Sequence, residues 1–273
     1  MRISCPNRLV VVIAVFLSAG SAVRLPAQLD YRNLDDDRPT LIEDAYPVER
    51  YAFELLLAPV RIEREKRGVT IYALVPELEY GLLSNVQVGV KLPLAGHTQG
   101  GTSTWALGGL RLFGLYNLNT ETTWPALALR ADAVFPVGGH SAGESRLSLK
   151  GIATRTLGRS RLHLNGAYTF GRDRRIAPVE NPDRWWGGMA IDRTLPFRST
   201  LLLAEVYARR PRGGDRVEVN ASAGVRYQVS PTLVLDAGVG RGLRRGLGPE
   251  WSVTLGFSRA IGFAGLIPEW RRE

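Results

Sequence analysis

Hydrophobic and polar residues alternate along residues 216–229, whose sequence is RVEVNASAGVRYQV. Every odd position from Val217 to Val229 is apolar or aromatic, and every even position from Arg216 to Gln228 is polar or glycine. Successive side chains of a β-strand point to opposite faces, so the pattern predicts a strand with one apolar and one polar face. Soluble strands usually have about five or six residues, whereas a membrane-spanning strand needs about 9 to 11. The segment is therefore typical of a transmembrane β-barrel, with lipid outside and a polar lumen inside.

The same alternation recurs along most of the chain. It predicts strands at 49–58, 69–80, 85–93, 104–118, 124–136, 146–157, 161–170, 185–194, 200–209, 216–229, 233–241 and 251–260. An even number of antiparallel strands is usual in bacterial barrels of a single chain. The pattern predicts an all-β protein, a transmembrane antiparallel up-and-down β-barrel of about 12 strands.

The connections between these segments alternate in length. Short ones fall at 81–84, 119–123, 158–160, 195–199 and 230–232, and longer ones, rich in Gly, Pro and charge, at 94–103, 137–145, 171–184, 210–215 and 242–250. Outer-membrane barrels have short periplasmic turns and longer extracellular loops. The alternation therefore predicts that both termini are periplasmic.

The N-terminus has the features of a secretory signal peptide. Arg2 and Arg8 precede the apolar run LVVVIAVFL at 9–17, and small residues follow, so residues 1–27 are assigned to the signal, with cleavage after Ala22 or Ala27. The apolar run has about half of the roughly 20 residues that a membrane-spanning helix needs. Cys5 lies within the signal, so the exported chain has no cysteine, which excludes disulfides, thiol catalysis and cysteine metal sites.

The net charge of +9 comes from basic residues scattered along strands rather than clustered. Because an exported protein does not meet nucleic acid, we expect no nucleic-acid partner, and outer-membrane lipid and a small-molecule solute as partners.

An acidic, proline-broken segment at 28–48 separates the signal from the barrel, which is assigned to 49–263, with a C-terminal tail at 264–273. The segment is a periplasmic tail or a partial plug of the lumen. Its prolines and apolar residues favour the plug. We then expect Asp37, Arg38 or Glu43 to pair with inward charges such as Arg130, Arg226, Glu77 or Glu79.

Strand parity predicts which charged residues face the lumen. Eight acids and eight bases do so: Glu54, Glu77, Glu79, Lys91, Arg111, Arg130, Asp132, Lys150, Arg161, Asp192, Glu205, Arg209, Arg216, Glu218, Arg226 and Asp236. A wide ion-selective pore would show one dominant sign, so the balance favours a lattice of ion pairs across a narrow lumen. Arg226 with Asp236, and Arg111 with Arg130 and Asp132, are the expected structural groups. The alternative is a charged ladder that guides an anionic solute.

Catalysis by a lipid-hydrolysing barrel requires a nucleophile beside a base. His163 points inward, and the loop GGHSAGES places His140, Ser141 and Glu144 together. A glycine-rich loop is a poor scaffold for a catalytic site, so we interpret it as an ordinary polar loop. We expect no enzyme activity, cofactor or metal site. Strand glycines such as Gly187 and Gly238 are interpreted as points of curvature.

Two short passages carry a resemblance to a family. Asp37-Arg38-Pro39-Thr40 with Glu43 leads into the first strand, and Glu77-Leu78-Glu79-Tyr80-Gly81-Leu82 precedes the strand VQVGV. These passages resemble the phenol-degradation meta-pathway transporter family of the outer membrane, over about residues 37–92. The resemblance implies a barrel that carries small, often hydrophobic molecules. We therefore expect an outer-membrane channel for a small, hydrophobic or aromatic solute, with a closed structural or surface-interaction barrel and a lipid hydrolase as alternatives.

Overall fold

The computed structural model of the protein describes residues 28–65, 68–137, 144–171, 183–212, 214–244 and 247–262. Its strands are β1 (Ala52–Arg64), β2 (Thr70–Leu74), β3 (Glu77–Leu83), β4 (Val86–Lys91), β5 (Leu94–Gln99), β6 (Thr102–Leu107), β7 (Leu110–Asn119), β8 (Ala126–Phe135), β9 (Arg146–Leu157), β10 (Ser160–Thr169), β11 (Asp183–Leu195), β12 (Thr200–Pro211), β13 (Glu218–Ser230), β14 (Leu233–Gly242) and β15 (Trp251–Gly262). All neighbours are antiparallel, and β15 pairs with β1, which closes the sheet. The signal peptide and the C-terminal tail lie outside the described residues.

Three pairs of segments, β2 with β3, β4 with β5 and β6 with β7, are single strands interrupted by short breaks, so the barrel has twelve strands. Pro76 and Pro93 lie at two of the breaks, where proline has no N–H for the ladder. Their carbonyls still accept the N–H groups of Leu92 (3.1 Å) and Gly108 (2.7 Å) from the next strand. The predicted antiparallel barrel of about 12 strands is confirmed.

The first strand is longer than predicted. Alternation was expected to end at residue 58, but β1 continues to Arg64, and its register against β15 shifts between Leu57 and Val60. This bulge inserts an extra residue and changes which parity faces inward, from Glu54 before it to Arg61 and Glu63 after it. The sequence analysis therefore missed Arg61 and Glu63 as lumen residues.

The predicted loop at 94–103 is a β-hairpin, formed by β5 and β6. Gly100 and Gly101 make its turn, with φ of 58° and 83°, values that glycine adopts without strain. Pro93 interrupts the alternation and hides the strand that follows.

The two ends of the barrel differ. Turns at 84–85, 158–159 and 231–232 are short, and the chain enters β1 and leaves β15 at this same end, which we call the short-turn end. The opposite end, the long-loop end, carries the connections at 136–145 and 170–182.

The outer surface is apolar and the inner surface is charged. Outward leucines on five strands are 44–56% exposed: Leu112, Leu129, Leu164, Leu235 and Leu255. Lys91, Arg130 and Arg226 face inward and are 2% exposed or less. This inversion of the soluble pattern is what a barrel in lipid requires. No helix in the described part of the chain is long and apolar enough to cross a membrane.

Candidate functional site

The N-terminal segment folds back into the lumen. Leu29 donates its N–H to the Pro231 carbonyl at the short-turn end (2.8 Å), and the Asp35 carbonyl accepts the Arg38 N–H in a turn (3.2 Å). The chain then returns and enters β1. The N–H of Asp44 donates to the Leu34 carbonyl (3.1 Å) and joins the two arms. We call residues 29–48 the plug and residues 35–40 its tip.

Two plug carboxylates are surrounded by cations from the barrel wall. Lys150 Nζ lies 2.5 Å from Asp36 Oδ1 and 2.9 Å from Glu43 Oε2. Lys91 Nζ lies 3.1 Å from Asp36 Oδ2, and Arg130 Nη1 lies 2.7 Å from Glu43 Oε1. Burial acts to raise the pKa of Asp36, but Lys150 and Lys91 outweigh it and hold that pKa well below its ordinary value. The plug is therefore fastened by charge on this side.

Residues of the barrel wall hold the Arg130 side chain in place, in addition to its contact with the plug. The Asp132 carboxylate accepts the Arg130 Nε–H and Nη2–H groups at 3.1 Å each, and the guanidinium stacks on Phe113, 3.8 Å from the ring centroid. Gly89 makes room for this ring, since a Cβ there would lie 2.3 Å from Phe113 Cζ. An aromatic ring and a carboxylate together hold the guanidinium in place.

The opposite wall holds the plug by its backbone. The Glu205 carboxylate on β12 accepts the N–H groups of Leu41 (3.0 Å) and Ile42 (2.9 Å). Arg226 on β13 lies 3.0 Å from Asp35. Since β4, β8 and β9 contact the plug from the other side, the plug bridges the lumen from wall to wall.

Two glycines form a recess for the tip. A Cβ at Gly224 would lie 2.6 Å from Pro39 Cγ, and a Cβ at Gly238 would lie 2.6 Å from the Pro39 carbonyl oxygen. Gly238 was interpreted as a point of curvature, and the structure gives it a different role. It is small because another part of the chain approaches it closely.

Near the short-turn end, a chain of polar groups anchors the returning arm. Thr154 Oγ1 accepts the Ala45 N–H (3.1 Å) and lies 3.0 Å from His163 Nδ1, while His163 Nε2 lies 3.0 Å from Asp192 Oδ2. Hydroxyl, imidazole and carboxylate occur in hydrolases in this order. Here the hydroxyl binds the plug backbone and Asp192 also pairs with Arg161 (2.7 Å). The arrangement is an anchor beneath the plug.

The loop considered for catalysis is only partly described. His140 and Ser141 lie outside the described residues. Glu144 lies 3.1 Å from Arg212 in an ion pair.

Four wall amides in the described part of the chain bind the plug backbone, and the sequence analysis missed all of them. One is Gln228 of β13, which donates to the Leu29 carbonyl (2.7 Å). Asn165 accepts the Glu43 N–H (2.9 Å) and donates to the Glu43 carbonyl (2.8 Å). Asn117 donates to the Ala45 carbonyl (2.7 Å), and Gln87 accepts the Val48 N–H (2.8 Å). Inward amides on otherwise apolar strands are the signal that could have revealed them, because such groups are buried with partners.

The structure buries twelve of the sixteen predicted lumen charges, namely Glu54, Glu77, Glu79, Lys91, Arg130, Asp132, Lys150, Arg161, Asp192, Glu205, Arg226 and Asp236. Arg111, Arg209 and Glu218 are partly buried near the long-loop end. Arg216 does not belong to the set: it is exposed at a bend, because pairing of β13 with β12 begins only at Glu218.

Two of the expected kinds of pair form, Arg38 with Glu77 and Glu43 with Arg130, but Arg226 does not pair with Asp236 as expected. Arg226 stands opposite Asp236 in the register, but its ion pair is with Asp35 of the plug. Of the N-terminal motif, Arg38 lies 3.3 Å from Glu77, and Asp37 lies 4.0 Å from Arg61. The acid with the most wall contacts is Asp36, which the motif did not include.

Beyond the tip, a cavity of about 330 Å³ opens toward the long-loop end. We call it the vestibule. One wall is apolar, formed by Ile71, Ala73, Val75, Pro93 and Ala95. In the circular strand order, β11 and β12 lie across the barrel from β2 and β5, and they contribute Trp186, Tyr207 and Arg209. The vestibule therefore has an apolar side and, opposite it, a side with aromatic and charged residues.

The fold is similar to that of solved outer-membrane barrels. The COG4313 outer membrane channel from Pseudomonas putida F1 has a TM-score of 0.57 and 14% identity, over 80% of this chain and 98% of that one. The KdgM porin has a TM-score of 0.51 and 11% identity, over 76% and 98%. No protein-family model and no curated protein sequence matches the chain. The structural likeness at this identity is one of fold.

Proposed function

We propose that the protein is an outer-membrane channel for a small solute and that residues 29–48 are the gate that narrows its lumen. The apolar outer surface fits a bilayer, and the signal-like N-terminus fits export to the outer membrane. With short turns in the periplasm, the plug enters from the periplasmic mouth and the vestibule opens to the exterior.

The observation that carries this proposal is the contrast between a plugged lumen and an accessible vestibule. Plug contacts with β3, β4, β8, β9, β10, β12 and β13 surround it, so a solute that passes must displace or skirt the plug. A barrel with a purely structural role has no need of an amphipathic chamber above such a plug.

The vestibule favours a solute with an apolar or aromatic body and one polar group. The apolar wall at Ile71 and Ala73 and the ring of Trp186 can contact the body, while Arg209 can contact the polar group. The KdgM porin has been solved with an oligogalacturonate, whereas the plugged lumen here favours a small molecule. This choice agrees with the resemblance to the phenol-degradation meta-pathway transporters.

Single-channel recording in planar bilayers tests the gate. The full chain should give small conductance, and a deletion of residues 35–46 should raise it several-fold, because the deletion removes the tip and most of the returning arm. Heat-modifiable migration on gels is the control that the shortened barrel still folds. If the folded deletion variant conducts no more than the parent, or neither conducts, the closed structural barrel becomes the better interpretation.

A further inference from the structure

Three buried carboxylates from different parts of the fold meet at the plug tip. Asp35 of the plug, Glu54 of β1 and Glu79 of β3 each offer an oxygen, and these oxygens lie within 4.8 Å of one another. The three residues are 8%, 7% and 1% exposed. Carboxylates are rarely buried together without a cation or shared protons.

The strand register forces two of them together. Glu54 and Glu79 are direct partners across the β1–β3 ladder, and like charges at such positions destabilise a sheet. The fold then adds a third carboxylate, Asp35, at the same place. Arg226 of β13 and Arg38 of the plug attract Glu54 and offset part of this repulsion, and a bound cation would offset the rest.

Two guanidinium groups lie near the cluster and attract Glu54, but their ion pairs are formed with Glu77 and Asp35. Arg38 contacts Glu77 (3.3 Å), and Arg226 contacts Asp35 (3.0 Å). In the part of the chain that the structure describes, neither Glu54 nor Glu79 has an ion-pair partner, and Glu54 Oε1 and Glu79 Oε2 have no hydrogen-bond donor. The glutamate pair therefore keeps unused acceptor atoms.

A second group points to a ligand at this place. Ser258 of β15 is fully buried, and its Oγ lies beside the Glu54 carboxylate without a hydrogen bond of regular geometry. It stands opposite Leu56 in the register, two positions from Glu54 and on the same inward face. A buried hydroxyl beside unpaired carboxylates is a further oxygen ligand for a cation.

We propose that Asp35, Glu54 and Glu79 bind one calcium ion, with Ser258 at its edge, and that this ion fastens the plug tip to the wall. Calcium takes oxygen ligands at 2.3–2.6 Å, so two ligands on opposite sides of the ion are up to about 5 Å apart, as in this cluster. Water fills the remaining positions. The site links the plug to β1 and β3, a part of the wall where the plug has few cationic partners.

Calcium titration calorimetry on the full, refolded chain in detergent at neutral pH tests the site. One ion per chain should bind with a Kd of about 0.1–1 mM, the range of extracellular calcium modules. Glu54→Gln and Glu79→Gln should each weaken binding about tenfold or more. The matched control is Glu218→Gln, which removes the same charge from a lumen residue paired with Arg209 at 2.9 Å.

Hydrogen exchange of the plug amides gives a second readout, in which removal of calcium should affect the parent and Glu79→Gln differently. In EDTA, plug amides of the parent should exchange faster than in calcium. In Glu79→Gln the repulsion is gone, so the amides should stay protected in EDTA and calcium should add little. Neither readout requires the barrel to conduct ions, so the calcium site and the channel function are tested independently of each other.

Two results would overturn the site. One is no saturable binding by the parent up to about 10 mM calcium, weaker than the weakest extracellular modules. The other is equal binding in the parent and in both glutamine variants. Either outcome would mean that the carboxylates share protons instead of a metal.

Discussion

The two halves of the lumen use the same kinds of residue in different ways. In the half toward the short-turn end, wall cations such as Arg226 and Arg161 pair with acids of the plug. In the half toward the long-loop end, charges pair within the wall, as Arg209 does with Glu218 (2.9 Å). The plug occupies the first half, beside a cavity of about 550 Å³ at the short-turn end, and ends at its tip, whereas the second half holds the vestibule. The difference shows that a lumen wall with equal numbers of acids and bases need not be paired within itself. Its charges can instead bind another part of the same chain.

Among the predicted changes, replacement of Arg130 should loosen the plug most. Arg130→Met leaves Glu43 and Asp132 buried without their guanidinium, and breaking a buried pair costs about 3–5 kcal/mol. Hydrogen exchange should show loss of plug protection, with a rise in conductance. The control Arg111→Met removes a partly exposed side chain 3.9 Å from Asp36 and should change little. Equal effects would mean that the two halves do not differ.

Filling the glycine recess should come next. In Gly238→Ala the new Cβ would lie 2.6 Å from the Pro39 carbonyl oxygen, which cannot move as a flexible side chain can. Overpacking of this kind costs about 1–3 kcal/mol, and the tip should leave the wall. At Gly166, also inside a strand, a Cβ meets nothing within 4 Å. Gly166→Ala should therefore leave the exchange of plug amides unchanged, and a change equal to that of Gly238→Ala would contradict the recess.

Removing a single hydroxyl should have a smaller effect. Thr154→Val deprives both the Ala45 N–H and His163 of a partner, which costs about 1–3 kcal/mol. The Thr169 hydroxyl, in the vestibule half, bonds Ser148 (2.8 Å) and does not contact the plug in the described part of the chain, so Thr169→Val should cost less. Urea unfolding in lipid vesicles, together with plug exchange, measures both. The anchor is disproved if Thr169→Val loosens the plug as much as Thr154→Val does.

The vestibule should respond in solute selectivity rather than in stability. Trp186→Ala should weaken block of the channel current by benzenesulfonate several-fold, because an aromatic contact is lost. Block by gluconate, an anion of the same charge without an aromatic ring, should stay unchanged. Trp185, which follows the outward parity of β11, provides the control Trp185→Ala. If this control weakens block equally, the solute does not bind in the vestibule.

The sequence by itself determined the barrel. Alternation with a period of two is a local property, and it fixes strand positions, the apolar outer face and most of the charged inner face. It failed where local chemistry breaks the period. The bulge before Val60 changed the inward parity of β1, and Pro93 hid β5. The alternating pattern also starts at Arg216, two residues before β13 begins.

Tertiary structure alone decided what fills the lumen. The sequence suggested that an acidic segment could enter, but the pairing of Asp36 with Lys150, or of Asp35 with Arg226, depends on how the closed barrel places distant strands around one axis. The same closure turned Gly238 into a recess and set Asp35 beside Glu54 and Glu79. Contacts across a lumen have no fixed spacing along the chain, whereas contacts along a strand do, and this is why the wall could be predicted and its partners could not.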